Sequence, residues 1–247
     1  MREVLFGRHP VYEALRAGRR RFFRLWVAEG AQVKGDLRAA VREAEGQGVP
    51  VARAPRRKLE ALVGHDHHQG VALEASPYPY ADLGEMLALA ARREEPPFLL
   101  LLDALQDPQN LATLLRTAEA VGVHGVLLPL RRTATVTPAV VNASSGAVEH
   151  LLVGQMNLAQ AIDALQEAGG WVVGLEGSAK AQPLEAVSLK GALALVVGSE
   201  GQGLRRLVRQ KCDALLRLPM RGKMESLNAA VAGSVALYFA WQQRGFV

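Results

Sequence analysis

Five consecutive apolar residues at positions 98–102 begin the part of the chain whose pattern most restricts the fold. A run without polar alternation is typical of a parallel strand that is covered on both faces. Similar runs recur and alternate with amphipathic helical segments, which predicts an open α/β sheet. The predicted strands are 98–102, 125–128, 150–153, 171–175, 193–197 and 214–218, and the predicted helices are 108–121, 158–168, 204–212 and 227–243.

Residues 1–75 show a different pattern, in which short helices and strands alternate in a small α/β unit. The predicted helices are 10–17, 35–48 and 56–63, and the predicted strands are 23–28, 49–52 and 71–74. A segment rich in proline and charged residues follows at 76–97 and contains one short predicted helix, 83–92. The sequence therefore predicts two domains, residues 1–75 and 98–247, that are joined by a linker at 76–97.

The excess of basic over acidic residues is confined to the first part of the chain. Residues 1–80 contain 14 Lys and Arg against 9 Asp and Glu, whereas the remaining residues contain 15 of each kind. Arginine clusters at 19–21 and 56–57 suit phosphate, because a guanidinium group can bind two of its oxygens at once. The asymmetry favours a nucleic-acid-binding module, and a solvated basic surface is the alternative.

Several classes of protein are disfavoured by what the sequence lacks. No apolar run approaches the ~20 residues that a membrane helix needs, and the N-terminal residues lack the apolar core of a secretory signal. The single cysteine, Cys212, excludes an intramolecular disulfide and fits a reducing compartment. The histidines at 65, 67 and 68 have no second pair at zinc spacing. We therefore expect a cytoplasmic, soluble protein without a metal site.

Three loops that follow predicted strands combine polar side chains with glycine or proline. In the first, Asp107 precedes a proline and is predicted to cap a helix, with Asn110 and Arg116 as candidate binding residues. The second, at 198–203, reads Gly-Ser-Glu-Gly-Gln-Gly, which allows backbone amides to approach a ligand. Its spacing is neither that of a dinucleotide fingerprint nor that of a Walker A loop. Since ligands of open α/β sheets bind beyond the carboxyl ends of the strands, we expect these loops to form one site.

The third loop, at residues 218–228, separates a strand from a helix rich in small residues. Leu218 is followed by a proline, and Ser226 is predicted to be the N-cap of the helix. Asn228 would then lie inside the helix, where its amide group is available to orient a substrate.

The order of these residues resembles the three motifs of the SpoU (TrmH-like) RNA ribose 2′-O-methyltransferases, which belong to the SPOUT class. The matching segments are 110–116, 197–201, 218–220 and 226–228. Segments at 7–15 and 68–71 resemble the two ends of the family's small substrate-binding domain. The organisation is most similar to members that methylate a guanosine of 23S ribosomal RNA. A tRNA ribose methyltransferase of the same class and a non-catalytic RNA-binding protein are the alternatives.

The resemblance implies a fold, a cofactor and a set of site residues. The second domain would contain a trefoil knot, an exception to the rule against threaded chains. The protein would be a homodimer with active sites at the subunit interface, would use S-adenosylmethionine, and would bind RNA largely through its basic N-terminal domain. The implied catalytic residues are Asn110, Arg116, Glu200, Ser226 and Asn228. The implied cofactor-binding residues are Gly177, Val197, Gly198, Leu218, Met220 and Leu227.

The resemblance also assigns the general base to Arg116. A guanidinium group does not lose its proton in a protein. We therefore interpret Arg116 as the group that binds the adjacent phosphate and the developing alkoxide, with Glu200 or water as the proton acceptor.

Overall fold

The computed structural model describes residues 2–178, 180–224 and 226–246. In chain order, the strands are β1 (Glu3–Phe6), β2 (Phe22–Ala28), β3 (Val51–Ala54), β4 (Val71–Ala75), β5 (Phe98–Asp103), β6 (Gly125–Leu128), β7 (Val153–Gln155), β8 (Trp171–Leu175), β9 (Gln182–Pro183), β10 (Leu193–Gly198) and β11 (Ala214–Arg217). The helices are α1 (Arg8–Ala17), α2 (Gly35–Gly46), α3 (Arg56–Val63), α4 (Leu83–Arg92), α5 (Pro108–Ala120), α6 (Pro138–Ala143), α7 (Leu158–Glu167), α8 (Arg206–Lys211) and α9 (Ala229–Gln243).

The contacts of these residues divide them into two units. Unit 1 comprises residues 2–79 together with Val136–His150, and unit 2 comprises residues 80–135 and the described residues after 150. The sequence-based division into a substrate-binding domain, a linker and a catalytic domain stays a prediction about function. The contacts add one feature to it, because they place Val136–His150 with unit 1.

Unit 1 is built on a four-stranded sheet in the order β1-β4-β2-β3. Strand β4 is antiparallel to both β1 and β2, whereas β2 and β3 are parallel. One apolar cluster joins Trp26 of β2, Ala72 of β4 and Leu59 of α3, so α3 covers that face of the sheet. Strand β1 was not predicted, and β3 begins two residues later than expected, because short strands give weak periodicity.

The segment Val136–His150 is attached to the rest of unit 1 by a buried ion pair. The Arg20 guanidinium donates to both carboxylate oxygens of Glu149, at 2.7–3.1 Å, and to Glu3 at 2.6 Å. The side chains of Arg20 and Glu149 have no exposed surface. Removal of one partner would leave an uncompensated buried charge, which costs about 3–5 kcal/mol. The segment is therefore an integral part of unit 1.

Unit 2 is an α/β domain with the predicted parallel sheet, in the order β7-β6-β5-β10-β8-β11-β9. The neighbouring strands pair in parallel. One predicted strand is wrong: residues 150–153 do not form it, since Ala147–His150 is a 3-10 turn and β7 begins at Val153. Helix α6 was not predicted, and α8 and α9 begin two residues later than expected. Among the described residues, no helix has the length and apolar character that crossing a membrane requires.

The sheet order of unit 2 reverses between β5 and β10. The chain continues from β5 to β6 and β7 on one side, and β8 to β11 lie on the other side. Gly198, the last residue of β10, is paired with Asp103, the last residue of β5. A reversal of this kind opens a crevice at the carboxyl ends of the two strands. The first and second loops of the sequence analysis both start at this point.

Candidate functional site

Asp103 ties the first loop to the second. Its side chain is fully buried, and its two carboxylate oxygens accept hydrogen bonds from Arg205, at 2.7 Å from the backbone N and at 2.6 Å from Nε. These contacts fix the end of the glycine-containing loop at 198–203 against β5. Sequence reasoning did not single out Asp103, although a carboxylate directly after five buried apolar residues is an unusual signal.

A network of amide and carboxylate groups connects all three loops. The Glu200 Oε1 atom accepts hydrogen bonds from the side-chain amides of Asn110 and Asn228. The Asn228 amide also donates to Asn110 Oδ1, at 3.1 Å. Asn110 is buried, whereas Glu200 and Asn228 are exposed. The structure thus brings together three of the five predicted catalytic residues.

The position of Asn228 corrects one prediction. The N-cap of α9 is Asn228 and not Ser226, because Asn228 Oδ1 accepts from the backbone N of Ala230 at 2.9 Å and of Val231 at 3.2 Å. The amide group of Asn228 is therefore not available as a whole to orient a substrate. Its oxygen is used by the helix and its nitrogen by the polar network.

A cavity of about 470 Å³ lies between the second and third loops. All six residues that the sequence analysis assigned to the cofactor line it, and so do Glu200 and Ser226. Its other lining residues are Leu175, Glu176, Ser199, Gly201, Gln202, Gly203, Leu204, Arg209, Ala229 and Ala232.

The cavity wall also contains an ion pair that sequence reasoning missed. Arg209 Nε donates to Glu176 Oε2, and both residues line the cavity. The hydrogen bond from Arg209 lowers the pKa of the Glu176 carboxyl, while burial acts in the opposite direction. Glu176 is therefore ionised at neutral pH. The signal for this pair was weak, because Glu176 and Arg209 are 33 residues apart in different elements.

A second, smaller cavity of about 290 Å³ adjoins the polar network. It is lined by Ala104, Leu105, Gln106, Asp107, Asn110, Ser199, Glu200 and Gln202. Ser199, Glu200 and Gln202 line both cavities. Asp107 is also the predicted cap of α5, since its Oδ1 accepts from the backbone N of Gln109 at 3.0 Å. Glu200 therefore lies in the wall between two cavities of different size.

Arg116 and Ser226 are the two remaining predicted catalytic residues. Arg116 is exposed on α5, and it is not among the described residues that line either cavity. Ser226 is exposed and lines the larger cavity. The hydrogen bonds thus join Asn110, Glu200 and Asn228, Ser226 lines the same cavity as Glu200, and Arg116 lies on the surface of α5.

Comparison with known families gives two matches that together extend over most of the chain. Residues 97–238 match the SpoU rRNA Methylase family, and residues 4–81 match the RNA 2′-O ribose methyltransferase substrate binding family. The chain belongs to the SpoU rRNA methylase family. As a member of this family it is an RNA methyltransferase that uses S-adenosylmethionine.

Individual relatives support the same assignment. A TrmH family tRNA/rRNA methyltransferase of Bacillus subtilis is 41% identical over 98% of this chain and 96% of that protein. A relative of the same description from Staphylococcus aureus is 41% identical, again over 98% of this chain and 96% of its own length. Both alignments include residues of unit 1 and of unit 2 of this SpoU family chain.

The fold is shared with solved structures of low sequence identity. The SpoU methyltransferase AviRb from Streptomyces viridochromogenes, solved in complex with AdoMet, superposes with a TM-score of 0.80 and 22% identity, over 100% of this chain and 92% of its own. An AdoMet-bound rRNA methyltransferase from Sinorhizobium meliloti gives a TM-score of 0.77 and 23% identity, over 98% of this chain and 87% of its own. At this identity the likeness concerns the fold.

Proposed function

We propose that this protein methylates a ribose 2′-hydroxyl of ribosomal RNA, and that its target is a guanosine of 23S rRNA. The observation that carries the proposal is the position of Glu200. Its carboxylate lies in the wall that two cavities share, and the amides of Asn110 and Asn228 hold it there. A transfer reaction needs such an arrangement, with a donor on one side and an acceptor on the other.

The larger cavity fits S-adenosylmethionine. Its volume of about 470 Å³ falls within the roughly 300–1,000 Å³ of small-molecule sites. Leu175, Leu218 and Leu227 supply apolar walls for the adenine ring, and the glycines of the second loop expose backbone polar groups. The carboxylate of Glu200 suits a ligand with a positive charge, whereas the charge of Glu176 is offset by Arg209 in the same wall. When it is bound, the cofactor supplies an electrophilic methyl group on a sulfonium.

The smaller cavity is proposed as the place of the acceptor nucleoside. Glu200 accepts the proton of the 2′-hydroxyl as the ribose oxygen becomes methylated, because a hydroxyl is a weak nucleophile until its proton is removed or shared. Asn110 and Asn228 position the carboxylate by donating to one of its oxygens. Arg116 binds an adjacent phosphate of the RNA, for which the guanidinium fork is suited.

The full length of the chain favours ribosomal RNA over tRNA. A solved structure on the 2-OH methylation of C/U34 on tRNA matches 60% of this chain, with 28% identity and a TM-score of 0.53. The Sinorhizobium rRNA methyltransferase covers 98%. The rRNA enzyme thus matches the substrate-binding part of this chain as well as the catalytic part, which favours the proposed rRNA target. We propose that the basic unit 1 binds the RNA.

The proposal is tested by mapping ribose methylation in ribosomal RNA from cells with and without this protein. We expect one 23S guanosine to lose its 2′-O-methyl group in cells that lack it, and purified protein to restore the mark in vitro. Methylation of tRNA alone would favour the tRNA alternative. Calorimetry with S-adenosylmethionine addresses the non-catalytic alternative, which requires that no cofactor binds.

We also propose that the protein forms a homodimer through α9. This helix is apolar on its whole circumference, which is typical of a helix that is buried on all sides. Val231, Val235 and Tyr238 follow one another at helical spacing and are nevertheless 47%, 45% and 49% exposed. A two-fold dimer would bury this stripe against its own copy.

Substitution of Val235 by Asp should convert the dimer to a monomer. A charge at the centre of a desolvated apolar interface has no partner there, so association should weaken at least about 100-fold, which corresponds to about 3 kcal/mol. Sedimentation equilibrium measures the change. Leu130→Asp is the matched control, because Leu130 is an exposed apolar residue outside the stripe. A wild-type protein that is monomeric at all concentrations would refute the proposed dimer.

A further inference from the structure

Unit 1 contains a basic cleft that is separate from the two cavities of unit 2. Its volume is about 580 Å³, and it is lined by Arg8, Ala28, Glu29, Gly30, Ala31, Gln32, Lys34, Arg56, Gln69 and Gly70. The lining contains three cationic residues, Arg8, Lys34 and Arg56, and one acidic residue, Glu29. The three cations come from three separate segments of the chain, so the fold and not a local run of sequence brings them together.

The backbone at the cleft adds to this positive potential. Arg8 is the first residue of α1, Lys34 is the N-cap of α2, and Arg56 is the first residue of α3. Within residues 2–178, none of the three N-cap residues caps its helix with its own side chain, although Gln69 Oε1 accepts from the backbone N of Arg8 in the first turn of α1. The N–H groups and dipoles of helix N-termini favour anions. The N-termini of α2 and α3, which have no side-chain cap from their N-cap residues, and three cationic side chains therefore lie at one cavity.

Local contacts hold one of these cations in place. The backbone N of Arg8 donates to Gln69 Oε1 at 3.0 Å, and Arg8 Nε donates to the Gln69 carbonyl at 3.1 Å. The guanidinium has further N–H donors beyond Nε. Gly70, with φ +80°, passes so close to Ala31 that an added Cβ would lie 3.3 Å from the Ala31 Cβ. The cleft wall thus has a defined geometry.

We propose that the basic cleft binds consecutive phosphates of the RNA backbone, and that it is the main electrostatic contact of unit 1 with its substrate. This inference rests on the proposed function, in that the anion is taken to be an RNA phosphodiester. Fixed N–H groups and guanidinium forks suit phosphate oxygens, whereas they carry no information on base sequence. The cleft therefore sets affinity and register, and the selection of the target base lies elsewhere.

The test compares two triple variants with the same loss of charge. Arg8→Gln, Lys34→Gln and Arg56→Gln remove the cations of the cleft. Arg38→Gln, Arg42→Gln and Arg53→Gln remove exposed arginines of unit 1 that do not line it. Binding of a mixed-sequence RNA hairpin is measured over a range of salt concentrations. Each lost phosphate contact should reduce the slope of log K against log salt by roughly 0.7, so the cleft variant should lose about 2 and the control much less.

The outcomes separate the cleft from the proposed function. An unchanged slope in the cleft variant, or an equal loss in the control, would overturn the cleft proposal even where wild-type protein methylates ribosomal RNA. A reduced slope supports the cleft even where no RNA is methylated, and the proposed function then fails alone. If calorimetry shows that inorganic phosphate binds the wild-type cleft while the RNA slope stays unchanged, the site is one for free anions and the proposal is wrong.

A second variant guards against misfolding. If the loss of the Arg8–Gln69 contacts lowers the unfolding temperature, the double variant Lys34→Gln and Arg56→Gln replaces the triple one, since both of these side chains are exposed. Its expected slope change is about 1.4, from two lost contacts.

Discussion

Glu200→Gln should reduce turnover by roughly 10²–10⁴-fold while binding of S-adenosylmethionine is retained. The glutamine oxygen can still accept from Asn110 and Asn228, as Glu200 Oε1 does, but an amide cannot take the proton of the ribose hydroxyl. The magnitude is that of a lost general base. Single-turnover methylation measured across pH, together with calorimetry for the cofactor, checks this expectation.

Two further variants make the result interpretable. Glu119→Gln is the matched control, because it makes the same change at an exposed carboxylate of α5 that lines neither cavity. Arg116→Lys should raise the KM for RNA more than it lowers kcat, since lysine keeps the charge and loses the fork. Full turnover of Glu200→Gln at every pH, combined with an inactive Arg116→Lys, would show that Arg116 and not Glu200 handles the proton.

Gly198→Ala should abolish cofactor binding and destabilise unit 2. A Cβ at Gly198 would overlap the carbonyl carbon and oxygen of Gly203 and the backbone N of Leu204. These are backbone atoms, so a side-chain rotation cannot relieve the overlap. The loop is also closed by hydrogen bonds between Ser199 and Gly203, at 3.1 and 3.0 Å. We expect a loss of about 1–3 kcal/mol in unfolding free energy, as in other overpacked sites.

Urea unfolding with and without S-adenosylmethionine measures both effects. The wild-type protein should gain stability from the cofactor by mass action, and Gly198→Ala should gain little. Gly222→Ala is the control, since an added Cβ there has no atom within 4 Å. A Gly198→Ala protein with wild-type stability and cofactor affinity would contradict the close packing of this loop.

The sheet of unit 2 was predictable because its strands are buried on both faces. Leu99, Leu100 and Leu101 are all fully buried, so the run carries no polar interruption that a helix or a half-exposed strand would show. The loops after these strands were predictable as one site for the same reason, since parallel strands bring their carboxyl ends to one edge. The six residues that were predicted to bind the cofactor line one cavity. The roles of these residues and the trefoil knot stay predictions.

The cap of α9 could not be predicted from local preference. Serine and asparagine are both favourable N-caps, and Ser226 and Asn228 are two residues apart. In the structure, the Asn228 amide also contacts Glu200, which lies 28 residues away and which local preference does not take into account. The placement of Val136–His150 has a similar cause, because Arg20, the partner of Glu149, is 129 residues distant. Periodicity gives the type of an element and does not give its partner.

The attachment of Val136–His150 to unit 1 restricts how this architecture can be rearranged by recombination. The chain passes from one unit to the other after residues 79, 135 and 150. A single crossover near residue 79 would join a foreign substrate-binding domain to the original Glu149, and the buried charge would lose Arg20. A functional chimera must therefore inherit both pieces together or replace Glu149 at the same time. The two units of this chain are accordingly expected to have been exchanged less freely than domains joined by one linker.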